Sequence, residues 1–169
     1  MARIHRRELN PWWFSSDGSG RFDLKPEQGT CYLAEEPLGA FVEAFREPRI
    51  VHASTVADRA LATLRPPARL RFADCTVEEA RRFGITLEIG ASDDYELYRR
   101  WAEAFAGEGF AGIRYRLGHD PSGSLLGLAL FGAEGEAGWA VEASGPIPDD
   151  LIREAEESFG IIAVPGVIR

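Results

Sequence analysis

One segment, Ser15 to Ala44 (SSDGSGRFDLKPEQGTCYLAEEPLGAFVEA), constrains this chain more than any other. A Gly-rich loop leads into a strand-like stretch and then a helix-like one. Gly29 to Ala34 favours a pleated surface through Cys31, Tyr32 and Leu33. Pro37 is tolerated only at a first helical turn, and Leu38, Phe41, Val42 and Phe45 then share one face. Pro48 ends that helix. Three polar residues ride on this unit: Arg21 in the loop, Tyr32 in the strand and Glu43 in the helix, each 11 residues from the next.

The rest of the chain continues the alternation of strands and helices. Arg49 to Ala53 reads as a strand, and Ser54 or Thr55 caps a helix running to about Leu64. Pro66-Pro67 breaks the pattern before a strand at Arg69 to Ala73. Thr76-Val77-Glu78-Glu79 has the form of a capping box, and Gly84 ends that short helix. The clearest helix starts at Ser92 or Asp93, carries Tyr95, Tyr98, Trp101, Ala102 and Phe105 at helical spacing, and stops at Gly107. Such an aromatic stripe belongs to a core rather than to a cofactor platform.

Phe110 to Arg116 and Leu125 to Phe131 form a hairpin about the turn His119-Asp120-Pro121-Ser122-Gly123. Trp139 to Ala143 is a further strand, Asp149 to Phe159 a helix, and Ile161 to Val164 a final buried strand. The sum is a single α+β domain over residues 1–169, a mixed or antiparallel sheet with helices packed on it.

Composition excludes several function classes. The 169 residues are enough for one domain with a real core, and a net charge of −8 repels the phosphate backbone of nucleic acid. No apolar stretch is long enough to cross a bilayer, and the basic N-terminus lacks the apolar core of a signal peptide. Cys31 and Cys75 are too few for a disulfide framework, no Cys/His cluster suggests a metal, and a reduced cytoplasmic compartment follows. No glycine-rich phosphate loop of the Rossmann or Walker type is present. In so acidic a chain, an anionic small molecule must be captured by a few local arginines, which singles out Arg3, Arg21 and Arg114.

A guanidinium on a glycine-rich loop can grip a pyrophosphate or a ribose oxygen. The bland alternative for Arg21 is a surface ion pair with Asp17 or Asp23. Tyr32 can stack a planar ring and orient a sugar with its hydroxyl, or be a half-buried sheet residue whose hydroxyl reaches a partner. Glu43 points away from the apolar stripe of its helix, so it is either solvated or lines a cleft. In a cleft it could stabilise an oxocarbenium-like cation. An anion clamp, a stacking surface and a carboxylate suffice to hold a dinucleotide and cleave an N-glycosidic bond.

The wording GRFDL…GTCYLAE…A-x-x-E resembles the start of the RES domain family, named for an arginine, a glutamate and a serine. The resemblance implies a core related to ADP-ribosyltransferases and an enzyme that cleaves the nicotinamide–ribose bond of NAD, as phosphorylase or glycohydrolase. NAD is then a substrate and no cofactor is required. Inorganic phosphate is one acceptor. As a toxin, the chain would have a helix-turn-helix antitoxin as partner. The same resemblance makes Arg21, Tyr32 and Glu43 catalytic and assigns NAD contacts to Arg3, Arg21 and Tyr32, and Arg114, singled out by the charge argument, joins these as a candidate NAD contact.

The family serine follows a segment like G-I-x-Y-x-S, whereas Gly112-Ile113-Arg114-Tyr115-Arg116 here leads into Leu117. Ser122, Ser124, Arg114, Arg116 or His119 would have to supply the missing polar contact. Two alternatives stay open: ADP-ribosyl transfer to a protein, and an inactive RES-like binding module.

Overall fold

A computed structural model describes residues 1–47 and 49–165. The stop expected at Pro48 lies outside the described residues. The chain opens with β1 (Ala2–Arg6), β2 (Trp13–Phe14), β3 (Gln28–Ala34), α1 (Pro37–Phe45), β4 (Ile50–His52), α2 (Ala53–Ala57) and β5 (Arg59–Leu64). It continues through β6 (Phe72–Asp74), two 3-10 segments (Glu78–Phe83, Leu87–Gly90), α3 (Tyr95–Gly107), β7 (Gly112–Arg116) and β8 (Leu126–Ala133). It closes with β9 (Gly135–Glu136), β10 (Val141–Gly145), α4 (Asp149–Phe159) and β11 (Ile162–Val164). The fold is α+β, as expected.

Seven strands form the main sheet in the order β10-β5-β1-β3-β8-β7-β6, antiparallel except for the parallel β6–β7 edge. Its continuity fails at one place. β1 pairs with β5 along all five of its residues but meets β3 only through Ala2 and Ala34. The sheet is therefore two blocks that share one bridge and then diverge.

Apolar side chains cover both faces. On one face Phe22, Phe41, Val42, Phe45, Ile113, Tyr115 and Ala129 pack with residues of α3 and α4. The opposite face carries Trp12, Phe14, Cys31, Leu33, Leu128 and Leu130, closed by Trp139 edge-on to Trp12 and Phe14 at 5.0 and 5.7 Å. The period of two in β3 and β8 explains this: Tyr32 and Ala129 face one side, while Cys31, Leu33, Leu128 and Leu130 face the other. Gly132 lets Phe14 lie on the strand, since a Cβ there would stand 2.7 Å from the Phe14 ring.

Several sequence expectations are corrected. The helix expected to reach Leu64 stops at Ala57, and Arg59–Leu64 is a strand. Its alanines and leucines favour helix, but Ala60, Ala62 and Leu64 are buried at period two and the segment pairs with both β1 and β10. The capping box at Thr76 does not form: the segment that follows has Val77 at its N-cap, and the Thr76 hydroxyl instead donates to Asp74 at 2.6 Å and accepts from Arg114. The next element, Glu78–Phe83, is a 3-10 segment without a side-chain cap, ended by left-handed Gly84. The basic N-terminus, an unpromising strand by composition, is β1 at the heart of the sheet. Trp139 packs as a lid outside β10, and β11 is a half-exposed strand parallel to β4 rather than a buried one.

His5 on β1 is buried, with Nδ1–H donating to the carbonyls of Arg6 (2.8 Å) and Leu9 (3.1 Å). Loss of hydration, with Arg3 and Arg59 nearby, holds its pKa below the ordinary 6.5 against the pull of those carbonyls. The unfolded chain therefore binds this proton first, and stability must fall as pH drops below about 6.5. The slope in that window is bounded by one proton, about 1.4 kcal/mol per pH unit. Urea titrations between pH 7.5 and 5 should show a shallower decline for His5→Gln than for wild type.

Candidate active site

The Arg21 loop is held by polar contacts from below and above. Gly20 N–H donates to Asp23 at 2.9 Å, and Phe22 N–H donates to the Tyr32 hydroxyl at 2.8 Å. That hydroxyl in turn donates to the other Asp23 oxygen at 2.9 Å. The Thr30 hydroxyl donates to the Phe22 carbonyl at 2.8 Å, so β3 grips the loop at successive residues. On the solvent side Arg99 of α3 donates to the carbonyls of Gly18 and Gly20.

Arg21 itself pairs with neither Asp17 nor Asp23. Its guanidinium donates to the Ser92 carbonyl and lies 4.9 Å from the Tyr95 ring and 5.7 Å from that of Tyr98. Two aromatic faces and one carbonyl orient the cation without neutralising it. The N-terminal end of the α3 aromatic stripe therefore serves Arg21, while Tyr98 and Ala102 fill the core.

Where β1 and β3 diverge, a cleft of about 230 Å³ opens. Arg3 and Ile4 line one wall, Tyr32 the other, with Arg21, Glu43, Arg46 and Tyr115 around them. Glu43 is not solvated on an outer helix face. Its side chain is 26% exposed and forms an ion pair with Arg46, which is 31% exposed. Burial opposes charge on Arg46, but Glu43 offsets it and the guanidinium pKa lies above its usual value. Tyr115 is buried, and burial, with Glu43 beside it, holds its phenol well above 10. The lining residues include three arginines and a single acidic residue, in a chain whose net charge is −8.

Sequence reasoning missed Arg46 and Tyr115. Arg46 stands three residues after Glu43, the spacing at which helical side chains meet, so a signal was there. Tyr115 lay behind Arg114, its more conspicuous neighbour.

Of the candidate site residues, Arg3, Arg21, Tyr32 and Glu43 are brought together and Arg114 is not. Strand alternation turns Arg114 away from Tyr115. It is taken up by Glu35 (2.6 Å), Asp74 (3.0 Å) and Thr76 (2.9 Å). Arg3 lines the cleft, with Nη1 fixed by the carbonyls of Pro11 (2.6 Å) and Trp13 (2.9 Å) and by the Cys31 sulfur (2.9 Å).

None of the substitutes for the family serine lines the cleft. Leu117 is 1% exposed and packs in the core. Ser122 and Ser124 bond Asp120 at 2.6 and 3.1 Å. Burial opposes ionisation of Asp120, but these bonds and the Leu125 N–H bring its pKa down to about 2. Arg116 donates to the Gly123 and Thr76 carbonyls. His119 sits outside the cleft in a small recess with Arg46 and Arg49, and desolvation, with Arg46 close by, lowers its pKa. Among the described residues no cluster of three or more acidic, histidine or cysteine side chains could hold a metal, and no helix is long and apolar enough to cross a membrane.

The different surroundings of Glu43 and Leu117 lead to opposite expectations. Glu43→Gln breaks a partly exposed ion pair, which contributes about 1 kcal/mol or less. Leu117→Ser leaves a cavity and buries a hydroxyl, which should cost about 3–5 kcal/mol. Urea denaturation of the two variants against wild type measures both.

The RES domain family model matches residues 1–150 of the chain. Among curated proteins, none matches it by sequence. By fold it is similar to a chain of the crystal structure of the M. tuberculosis MbcT–MbcA toxin–antitoxin complex. The TM-score is 0.67 at 17% identity, over 90% of this chain and 86% of that one. At that identity the likeness is one of fold, a mostly antiparallel sheet with helices in the ADP-ribosyltransferase-like arrangement. The family match over residues 1–150, on a fold whose cleft opens where the sheet divides, makes this chain a member of the RES domain family.

Proposed function

We propose that the chain is an enzyme that binds NAD in the divided sheet and breaks its nicotinamide–ribose bond. The observation that carries this reading is the cleft itself: Arg21, Arg46, Tyr32 and Glu43 converge on one opening in an acidic chain. Arginines there suit a pyrophosphate, and a lone carboxylate suits a sugar that becomes cationic. A volume of about 230 Å³ is smaller than the roughly 300–1,000 Å³ of sites that enclose a whole ligand. It fits the nicotinamide–ribose end, with the adenosine lying outside.

The chemistry asks little of an acid. The bond's electron pair returns to the pyridinium nitrogen, and nicotinamide leaves as a neutral molecule. Positive charge develops on the ribose, where Glu43 stabilises it, while Arg21 holds the anionic diphosphate. Capture of the ribose carbon by phosphate gives a sugar phosphate; capture by water gives ADP-ribose and a proton. Leu117 belongs to the core, so Arg46, which is ion-paired with Glu43, is the cleft residue suited to meet an anionic acceptor.

Membership of the RES family and the likeness to a toxin–antitoxin structure support a role as the toxin of such a pair. The partner would be an antitoxin that covers the cleft, of the helix-turn-helix kind.

Purified chain, free of any partner, should convert NAD to nicotinamide at neutral pH, followed by chromatography with and without phosphate. Glu43→Gln should lower the rate on the order of a hundredfold, as loss of a charge aimed at a transition state does. Unchanged NAD at high protein concentration would refute the enzyme and leave the binding module favoured by a leucine in place of the family serine. Near-normal turnover by Glu43→Gln would remove the carboxylate from the mechanism.

A further inference from the structure

Asp23 lies beneath the Arg21 loop and is only 3% exposed, yet it makes no ion pair among the described residues. A buried carboxylate is expensive unless its oxygens are bonded. Here one oxygen accepts from the Tyr32 hydroxyl and the other from Gly20 N–H, each at 2.9 Å. A Cβ at Gly20 would overlap both the Asp23 carboxylate and the Tyr32 hydroxyl. The sequence therefore leaves position 20 bare so that three groups can meet.

We propose that Asp23 is a positioning residue of the cleft, acting through Tyr32 and the Arg21 loop. A phenol has one proton to donate, and Asp23 takes it. The Phe22 N–H occupies one acceptor site on the same oxygen. Tyr32 thus has no proton left for a ligand, and any ligand group that meets its oxygen must be a donor. A ribose hydroxyl fits this; a phosphate oxygen or the nicotinamide carbonyl does not. The expectation that the Tyr32 hydroxyl orients a sugar thereby gains a direction, since toward a ligand this hydroxyl only accepts. Burial, with the Asp23 charge beside it, raises the phenol pKa well above 10 and keeps it neutral. The same bonds tie Gly20 and Phe22, the two neighbours of Arg21, to the third strand. This deepens the proposed function and rests on reading the cleft as the NAD site.

The conservative variant Asp23→Asn keeps the shape and removes the charge. Its amide presents a donor toward either Gly20 N–H or the tyrosine, so one of the two bonds must fail or reverse. With ring-labelled tyrosine, NMR should show Tyr32 ionising at lower pH in Asp23→Asn than in wild type. The Gly20 and Phe22 amides should exchange about tenfold faster or more. In turnover, KM for NAD should rise about tenfold with kcat changed much less, because the loop and tyrosine bind rather than react. In a Tyr32→Phe background the same substitution should raise KM clearly less than in wild type, because only its direct bond to the Gly20 N–H is left to lose.

Equal effects in both backgrounds, or an unmoved Tyr32 titration, would reduce Asp23 to a structural residue and overturn the proposal. If Asp23→Asn does not fold, Tyr32→Phe carries the test: exchange at Gly20 and Phe22 must accelerate, and unchanged exchange refutes the coupling. If wild type does not consume NAD, the reading of the cleft falls, while the titration and exchange data still decide whether Asp23 controls Tyr32.

Discussion

The single bridge between Ala2 and Ala34 governs how this molecule is built. Continued two steps further, the same antiparallel register would set Arg3 opposite Leu33 and Ile4 opposite Tyr32. Those residues instead line the two walls of a cleft. A sheet normally closes such a gap, because an unpaired strand edge leaves backbone donors and acceptors without partners. Each half tolerates the divergence because it is paired elsewhere: β1 along β5, and β3 along the full length of β8. Arg3 spans the opening, from its own strand to the Cys31 sulfur on β3 and the carbonyls of Pro11 and Trp13.

Charge in this molecule is arranged in two ways that differ in purpose. At the sheet edge Arg114, Glu35, Asp74 and Thr76 bond one another, so the guanidinium charge is met by two carboxylates. In the cleft the cations are oriented instead by groups that do not cancel them. Arg21 rests on tyrosine rings and a carbonyl, and Arg3 on carbonyls and a sulfur. Arg46 is the exception, being paired with Glu43, so that carboxylate and guanidinium are presented together. In a chain whose net charge is −8, the arginines gathered at this pocket make a local exception in sign.

Much of the architecture was legible in the residues. The helix of Asp149 to Phe159 and the β7–β8 hairpin were readable because their periodicity agrees with their packing. So was the passage from strand to helix at Pro37. β1 and β5 were not. Arg59 to Leu64 is built of residues that favour helix, and Ala2 to Arg6 looks like a basic tail. Each becomes a strand because the other is beside it. Local propensity carries no information about a partner some sixty residues away, and here pairing outweighs it.

The α+β class, the acidic surface and the equal spacing of Arg21, Tyr32 and Glu43 along one loop–strand–helix unit are all written in the residues alone. That spacing could not tell a cleft-facing Glu43 from a solvated one, because a helical wheel gives direction but not what stands opposite. The fold settled it by setting β1 apart from β3 beside α1, and by supplying Arg46 and Tyr115. It also separated Arg114 from Tyr115 by the pleat and put Leu117 in the core. Asp23, which in sequence offered itself only as an ion-pair partner for Arg21, became the partner of Tyr32 because the loop folds back onto the strand. The chemical character of each side chain is fixed residue by residue, but what it faces depends on which segments the sheet brings together.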